Sequence, residues 1–119
     1  MSNEKRNHRF DYIELPAGDV EQLAHAKRFY SAVFGWTYKD WGADYADTQE
    51  SGVASGINAD PKHRPPQSLP VLYAVDLGAT RAAVEAAGGK IVAEYSFPGG
   101  RRFHFKDPAG NELAVWSEA

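Results

Sequence analysis

FHFKDPAGNELAVW, residues 103–116, is the stretch from which the fold of this chain is read. Two strand-like runs, Arg102 to Lys106 and Glu112 to Ser117, flank Asp107-Pro108-Ala109-Gly110-Asn111. Pro108 presets its own φ for the second position of a turn, while Gly110 and Asn111 tolerate positive φ. The segment predicts a tight β-turn that returns the chain as an antiparallel partner. Asp107 and Asn111 are read as turn formers, because both side chains can bond to nearby backbone N–H groups.

The rest of the second half leads into this hairpin. Leu69 to Val75 alternates as a strand, and Asp76 can cap a helix running to about Ala87, which Gly88-Gly89 ends. Lys90 to Tyr95 adds a strand before the hairpin. The first half has the same grammar. Arg9 to Leu15 alternates, with Phe10, Tyr12 and Glu14 on one face and Asp11, Ile13 and Leu15 on the other. Asp19, with Gln22 three residues on, is the signature of a capping box. Leu23, Ala26, Tyr30 and Val33 then recur at helical spacing, and Gly35 is the expected C-cap. Three short strands follow from Trp36 to Asn58, in a meander broken by Gly42-Ala43 and Glu50-Ser51-Gly52. The expected order is βαβββ-βαβββ, an α+β fold in which each helix covers one face of a curved mixed sheet and the other faces form a shared concave cleft. Module one is placed at about 9–58, a proline-rich linker with almost nothing to bury at about 59–68, and module two at about 69–117, within one domain. Residues 1–8 read as a ragged end.

Composition narrows the function classes. Hydrophobic residues make up 43% and charged residues 24% of the 119, a balance that fits neither a disordered chain nor a membrane protein. No apolar run approaches the length of about 18 that a spanning helix needs. The absence of cysteine excludes a disulfide scaffold, a thiolate nucleophile and a thiolate metal site. A formal charge of -3, from 13 basic and 16 acidic side chains, argues against a phosphate backbone as partner. The expectation is a cytoplasmic protein that binds neither nucleic acid nor membrane. No dinucleotide fingerprint, phosphate loop, H-E-x-x-H pair or nucleophilic triad is readable.

YIELPAGD at 12–19, RFYSAVFGW at 28–36, YAVDLGATRAAVEAAGGKIV at 73–92 and FHFKDPAGNELAVW together resemble the vicinal oxygen chelate superfamily of glyoxalase, bleomycin-resistance and extradiol dioxygenase proteins. The early FGW and the terminal GNELAVW are similar to the bacterial glyoxalase-like subgroup. In metal-dependent members the resemblance implies ligands in the first and last strands of each module. Those positions fall here on Tyr12, Pro70 and Ala114. Proline and alanine have no ligating side chain, and of the four histidines only His104 lies in a strand that would face the cleft. No metal and no cofactor is therefore expected. The resemblance also implies a homodimer, with modules pairing either within or between chains.

The candidate residues follow from the alternation of the strands. Glu14 and His104 are the candidate bases, and Tyr12, Trp41, Tyr45, Arg102, Glu112 and Trp116 the candidate ligand contacts. Each has a plainer alternative. Glu14 can be a carboxylate satisfied near a strand end, Arg102 and His104 can be solvated on an outer edge, and the aromatics can be packing. The leading functional expectation is a metal-independent small-molecule binding protein with an aromatic-lined cleft. The alternatives are a glyoxalase-like lyase or isomerase using Glu14 or His104 as general base, and an accessory domain with a vestigial cleft.

Overall fold

Asp19 and Asp76 open the two long helices in the same way. In the computed structural model, which describes residues 6–118, Asp19 Oδ1 accepts from the Gln22 N–H at 2.8 Å and Asp76 Oδ1 from the Ala79 N–H at 2.9 Å. Each carboxylate satisfies an N–H that the first helical turn leaves without a partner. The Gln22 side chain does not close the expected capping box on Asp19. It accepts from the Gly18 N–H at 2.9 Å instead. Helix α1 (Val20–Phe34) ends at Gly35, whose φ of 77° is the left-handed cap foreseen from its lack of a Cβ. Helix α2 (Leu77–Ala86) begins at Leu77 despite Gly78 in its first turn.

The strands are β1 (Arg9–Pro16), β2 (Thr37–Asp40), β3 (Tyr45–Gln49), β4 (Ser55–Asn58), β5 (Leu69–Tyr73), β6 (Lys90–Phe97), β7 (Gly100–Lys106) and β8 (Glu112–Ser117). With the helices they reproduce the βαβββ order twice. They are hydrogen bonded as one mixed eight-stranded sheet in the order β2-β3-β4-β1-β5-β8-β7-β6. This corrects the expectation of curved sheets around a concave cleft. The order is open, ending at β2 and β6, and among the described residues no pairing joins those ends. The physical reason is that alternation reports which face of a strand is buried and turn residues report where it reverses. Neither specifies sheet coiling, or which distant strand completes the ladder of a first strand.

The chain divides into two compact units, one of Tyr12–Leu69 and one joining the residues up to Asp11 to those from Pro70 onward. In the first, β1 runs parallel to β4 while β2–β3–β4 form the antiparallel meander. Its core is Ala17, Leu23, Ala46, Ile57 and Ala59, with Leu15, Ala26, Tyr30 and Tyr38 packed on it. Ala59 and Pro65 are buried although their segment reads as a linker, and Arg64 Nη1 donates to the Gly18 carbonyl at 2.6 Å. In the second unit β5 runs parallel to β8, and β6, β7 and β8 are antiparallel neighbours. Its core is Ala74, Leu77, Phe103 and Val115, supported by Leu72, Val84, Ile91 and Phe105. Full burial of Phe103 contributes about 1.5–3 kcal/mol.

The 107–111 turn forms as its residues dictate. Asp107 Oδ1 accepts from the N–H groups of Ala109 and Asn111, both at 2.9 Å, and Gly110 takes φ 89°. The expected ragged end falls partly on residues 1–5, outside the described residues. Residues 7 and 8 are tied down: the His8 N–H donates to the Tyr73 carbonyl at 2.7 Å, and Asn7 Oδ1 accepts from the Val75 N–H at 2.8 Å.

Candidate functional site

The period of two along a strand sends Tyr12 and Glu14 to one face of β1, Tyr45 and Asp47 to one face of β3, and Gly56 and Asn58 to one face of β4. The register then sets Glu14 and Asp47 on either side of Gly56, and Asn58 beside Tyr45. Gly56 leaves a gap in the middle strand, and the two tyrosine hydroxyls fill it. A Cβ at Gly56 would lie 2.0 Å from the Tyr12 oxygen and 2.6 Å from that of Tyr45. A glycine inside a strand marks such a close approach.

The result is a continuous polar chain. Tyr45 Oη donates to Glu14 Oε1 at 2.8 Å, Tyr12 Oη donates to Asp47 Oδ1 at 2.6 Å, and the two phenolic oxygens are 2.7 Å apart. Asn58 Nδ2 donates to Glu14 Oε2 at 3.4 Å, its amide orientation set by Oδ1, which accepts from the Asp60 N–H at 2.8 Å. At the other end Trp41 Nε1 donates to Asp47 Oδ2 at 2.7 Å. Glu14 is 0% exposed and Trp41 53% exposed, so the chain runs from a sealed carboxyl group to a surface indole. Burial pushes both phenols well above the usual tyrosine range. The hydrogen bond to Asp47 adds to the effect at Tyr12, and the charge of Glu14 adds to it at Tyr45. Both stay hydroxyls at neutral pH.

Arg102, His104 and Glu112 form a second group, in the other unit. Arg102 and His104 share a face of β7, and both are buried rather than solvated at an edge. Arg102 Nε donates to His104 Nε2 at 3.0 Å, and His104 Nδ1 lies 3.1 Å from Glu112 Oε2. An arginine has only donors, so Nε2 must be the acceptor and Nδ1 must carry the proton that bonds Glu112. Ala114, fully buried, is the ladder partner of His104. Trp116 stands in a third setting: its Nε1 donates to both Asp11 oxygens, at 3.0 and 3.1 Å, and its ring meets that of Tyr73 edge-on.

The structure thus gathers Tyr12, Glu14, Trp41 and Tyr45 within one unit, and Arg102, His104 and Glu112 within the other. Sequence reasoning missed Asp47, Gly56 and Asn58. The period of two from Tyr45 points to Asp47, and glycine inside a strand points to Gly56. Asn58 carries no comparable signal. A shallow hollow of about 600 Å³ lies elsewhere in the first unit, lined by Lys27, Arg28, Ser31, Ala32 and Tyr38, and contains none of the candidates.

Among the described residues there is no group of three or more His, Cys, Asp or Glu side chains placed to hold a metal ion. Pro70 and Ala114 offer no donor, and the Tyr12 hydroxyl is engaged by Asp47 and Tyr45. The donor set does not fit the metal centre that the resemblance implies for metal-dependent relatives. No described helix is long and apolar enough to cross a membrane.

This fold matches known proteins on the same terms. Residues 9–115 match the family described as Glyoxalase/Bleomycin resistance protein/Dioxygenase superfamily, and the chain belongs to that superfamily. Among solved structures, it is similar to an NAD-dependent benzaldehyde dehydrogenase from Legionella pneumophila, with a TM-score of 0.70 and 12% identity over 89% of this chain and 96% of that one. It is similar also to the Mn(II)-bound glyoxalase from Novosphingobium aromaticivorans (TM-score 0.64, 26% identity, 95% of this chain), of which it spans only 40%. A methylmalonyl-CoA epimerase from Mycobacterium tuberculosis aligns at TM-score 0.63 with 15% identity, over 92% of this chain and 87% of that one. No curated protein matches the chain.

Proposed function

We propose that this protein binds a small molecule, without the metal used by metal-dependent relatives, at the aromatic and carboxyl group of Tyr12, Trp41, Tyr45, Asp47 and Glu14. One observation carries the reading: a fully buried carboxyl group is linked through two phenols and a second carboxyl to an exposed tryptophan. Burying Glu14 is costly unless it is well partnered, and such arrangements concentrate at functional sites. Trp41 supplies a flat, exposed face on which a planar ligand can stack, with Lys39 Nζ 4.5 Å from its ring centroid. A cytoplasmic setting and pairing into a homodimer belong to the same proposal. The cysteine-free composition supports the first, and the family resemblance the second. Titration of planar aromatic compounds followed by tryptophan emission tests the binding: saturable binding weakened about tenfold or more by Trp41→Ala supports it, and unchanged affinity opposes it.

A second reading, turnover by a lyase or isomerase, is favoured by Glu14 alone. Its carboxyl group meets a phenol that can return a proton. His104 is the weaker base candidate, because both ring nitrogens are engaged by Arg102 and Glu112. Turnover that survives Glu14→Gln unchanged removes this reading.

A further inference from the structure

Lys39 has no ion-pair partner among the described residues. The register of the meander sets it directly across from Asp47, which faces Gly56, so Lys39 stands on the same sheet face as the polar chain. Among the described strand residues on that face of the first unit it is the only basic one. A lysine opposite a carboxyl group in an antiparallel pair ordinarily interacts with it. Here Asp47 Oδ1 faces the Tyr12 hydroxyl at 2.6 Å and Oδ2 faces the Trp41 indole N–H at 2.7 Å. No carboxyl oxygen of the described residues comes within ion-pair distance of Lys39 Nζ. The ammonium rests instead over the Trp41 ring, 4.5 Å from its centroid. Strand β2 ends the sheet, and both side chains are exposed there.

We infer that the ligand of this site is a planar aromatic acid, its ring stacked on Trp41 and its anionic group paired with Lys39. The inference rests on the binding reading given above and adds the charge of the ligand to it. A ring that stacks on the indole face under Lys39 displaces the ammonium and forfeits its attraction to the electron-rich ring. An acid group at the rim of the ligand makes good that loss, because the ammonium sits on a flexible four-carbon stem and can follow the group to the edge of the stack. A neutral ring offers nothing in exchange, and a cationic one sets like charges side by side. Lys39 is thus a cover that a flat compound has to move, and an anion gives it a partner in its new place. It is a specificity residue, distinct from the carboxyl groups of the same face: Glu14 is 0% exposed, and Asp47 is engaged by Tyr12 and Trp41.

The test uses three planar probes of matched shape: cinnamate, the neutral cinnamamide and the cationic cinnamylammonium. Each is titrated into the intact protein at low ionic strength, where screening is least, while the Trp41 indole N–H is followed by nitrogen–proton NMR. The expected order of affinity is cinnamate, cinnamamide, cinnamylammonium, with cinnamate ahead of cinnamamide by about threefold or more, as an exposed ion pair allows. Lys39→Met, which keeps an unbranched stem and removes the charge, should abolish that lead, and Lys39→Arg should retain it. Cinnamamide binding as tightly as cinnamate to the wild type, or a cinnamate lead that survives in Lys39→Met, overturns the assignment of an acid while leaving the binding site in place. Failure of all three probes to move the indole signal removes the binding reading itself, and the ligand class with it.

Discussion

Arg102 Nε lies 3.0 Å from His104 Nε2, and that contact decides where the imidazole carries its proton. With Nε2 accepting, the ring is neutral with its proton on Nδ1, directed at Glu112. Nitrogen chemical shifts of labelled histidine should show this tautomer in the wild type and retain it in Arg102→Leu, where Glu112 still accepts from Nδ1. The variant should also be less stable by at least about 1–3 kcal/mol in urea, because a buried acceptor loses its donor. A wild-type ring with its proton on Nε2 would remove the assignment.

Gly56→Ala is expected to destabilise the protein by about 1–3 kcal/mol, the range for forcing atoms into packed space, since the added Cβ meets the Tyr12 oxygen at 2.0 Å. Removing that oxygen should relieve part of the strain. The double variant Gly56→Ala/Tyr12→Phe is expected to show a favourable coupling of about 0.5 kcal/mol or more relative to the sum of the single changes. Strict additivity in urea denaturation would mean that the two residues do not share this space.

Two aspartates should act on acid stability with opposite signs. The Asn111 side chain, followed by the Asn111 backbone N–H, holds Asp107 below its ordinary value of 3.8. Its stabilisation is complete above that value and is lost as pH falls through the lower folded value. Burial raises Asp11 above 3.8, outweighing the Trp116 hydrogen bond and Arg6. Its contribution is present below 3.8 and is lost as pH rises through the raised folded value. Asp107→Asn should therefore flatten the acid limb of a stability-versus-pH curve, whereas Asp11→Asn should steepen it while leaving stability at neutral pH equal or higher. Thermal melts across the acid range read both effects, and shifts of the same sign would contradict the assignment.

The parts legible in the sequence are those set by local chemistry. The Asp107–Asn111 turn, the caps at Asp19, Gly35 and Asp76, and the order of strands and helices depend on residues a few positions apart, whose conformational preferences are intrinsic. Phe103 and Phe105 alternate with Arg102 and His104 along β7 and pack in one cluster with Leu77 and Val84 of α2. The open course of the sheet was not legible, because ladder partners and coiling are decided over long separations. The pairing of Tyr12 with Tyr45 was readable only as two aromatics on candidate strands. Their meeting depends on the register that places Gly56 between Glu14 and Asp47, and register is a tertiary property. Burial of Arg102 and His104 escaped for the opposite reason: charged side chains read as surface, and contacts such as those of His104 with Arg102 and with Glu112 across the hairpin are set by the fold.

If Asp47 anchors the indole of Trp41, its removal should loosen the exposed ring without disturbing the core. Asp47→Ala is expected to red-shift and weaken tryptophan emission and to cost about 1 kcal/mol or more through loss of the hydrogen bonds that Asp47 accepts from Tyr12 and Trp41. Emission identical to the wild type would show that the ring does not depend on this contact.

The most direct test of the binding site is a two-dimensional nitrogen–proton NMR titration of the wild-type protein with a panel of small planar aromatic compounds. The Trp41 indole N–H is followed alongside the backbone signals of the first unit. Binding at the proposed site predicts that any compound that saturates shifts the Trp41 indole together with Tyr45, Asp47 and Gly56. Compounds that saturate while shifting only Ser31, Ala32 and Tyr38, at the hollow beside α1, with the Trp41 indole unmoved, would contradict the account.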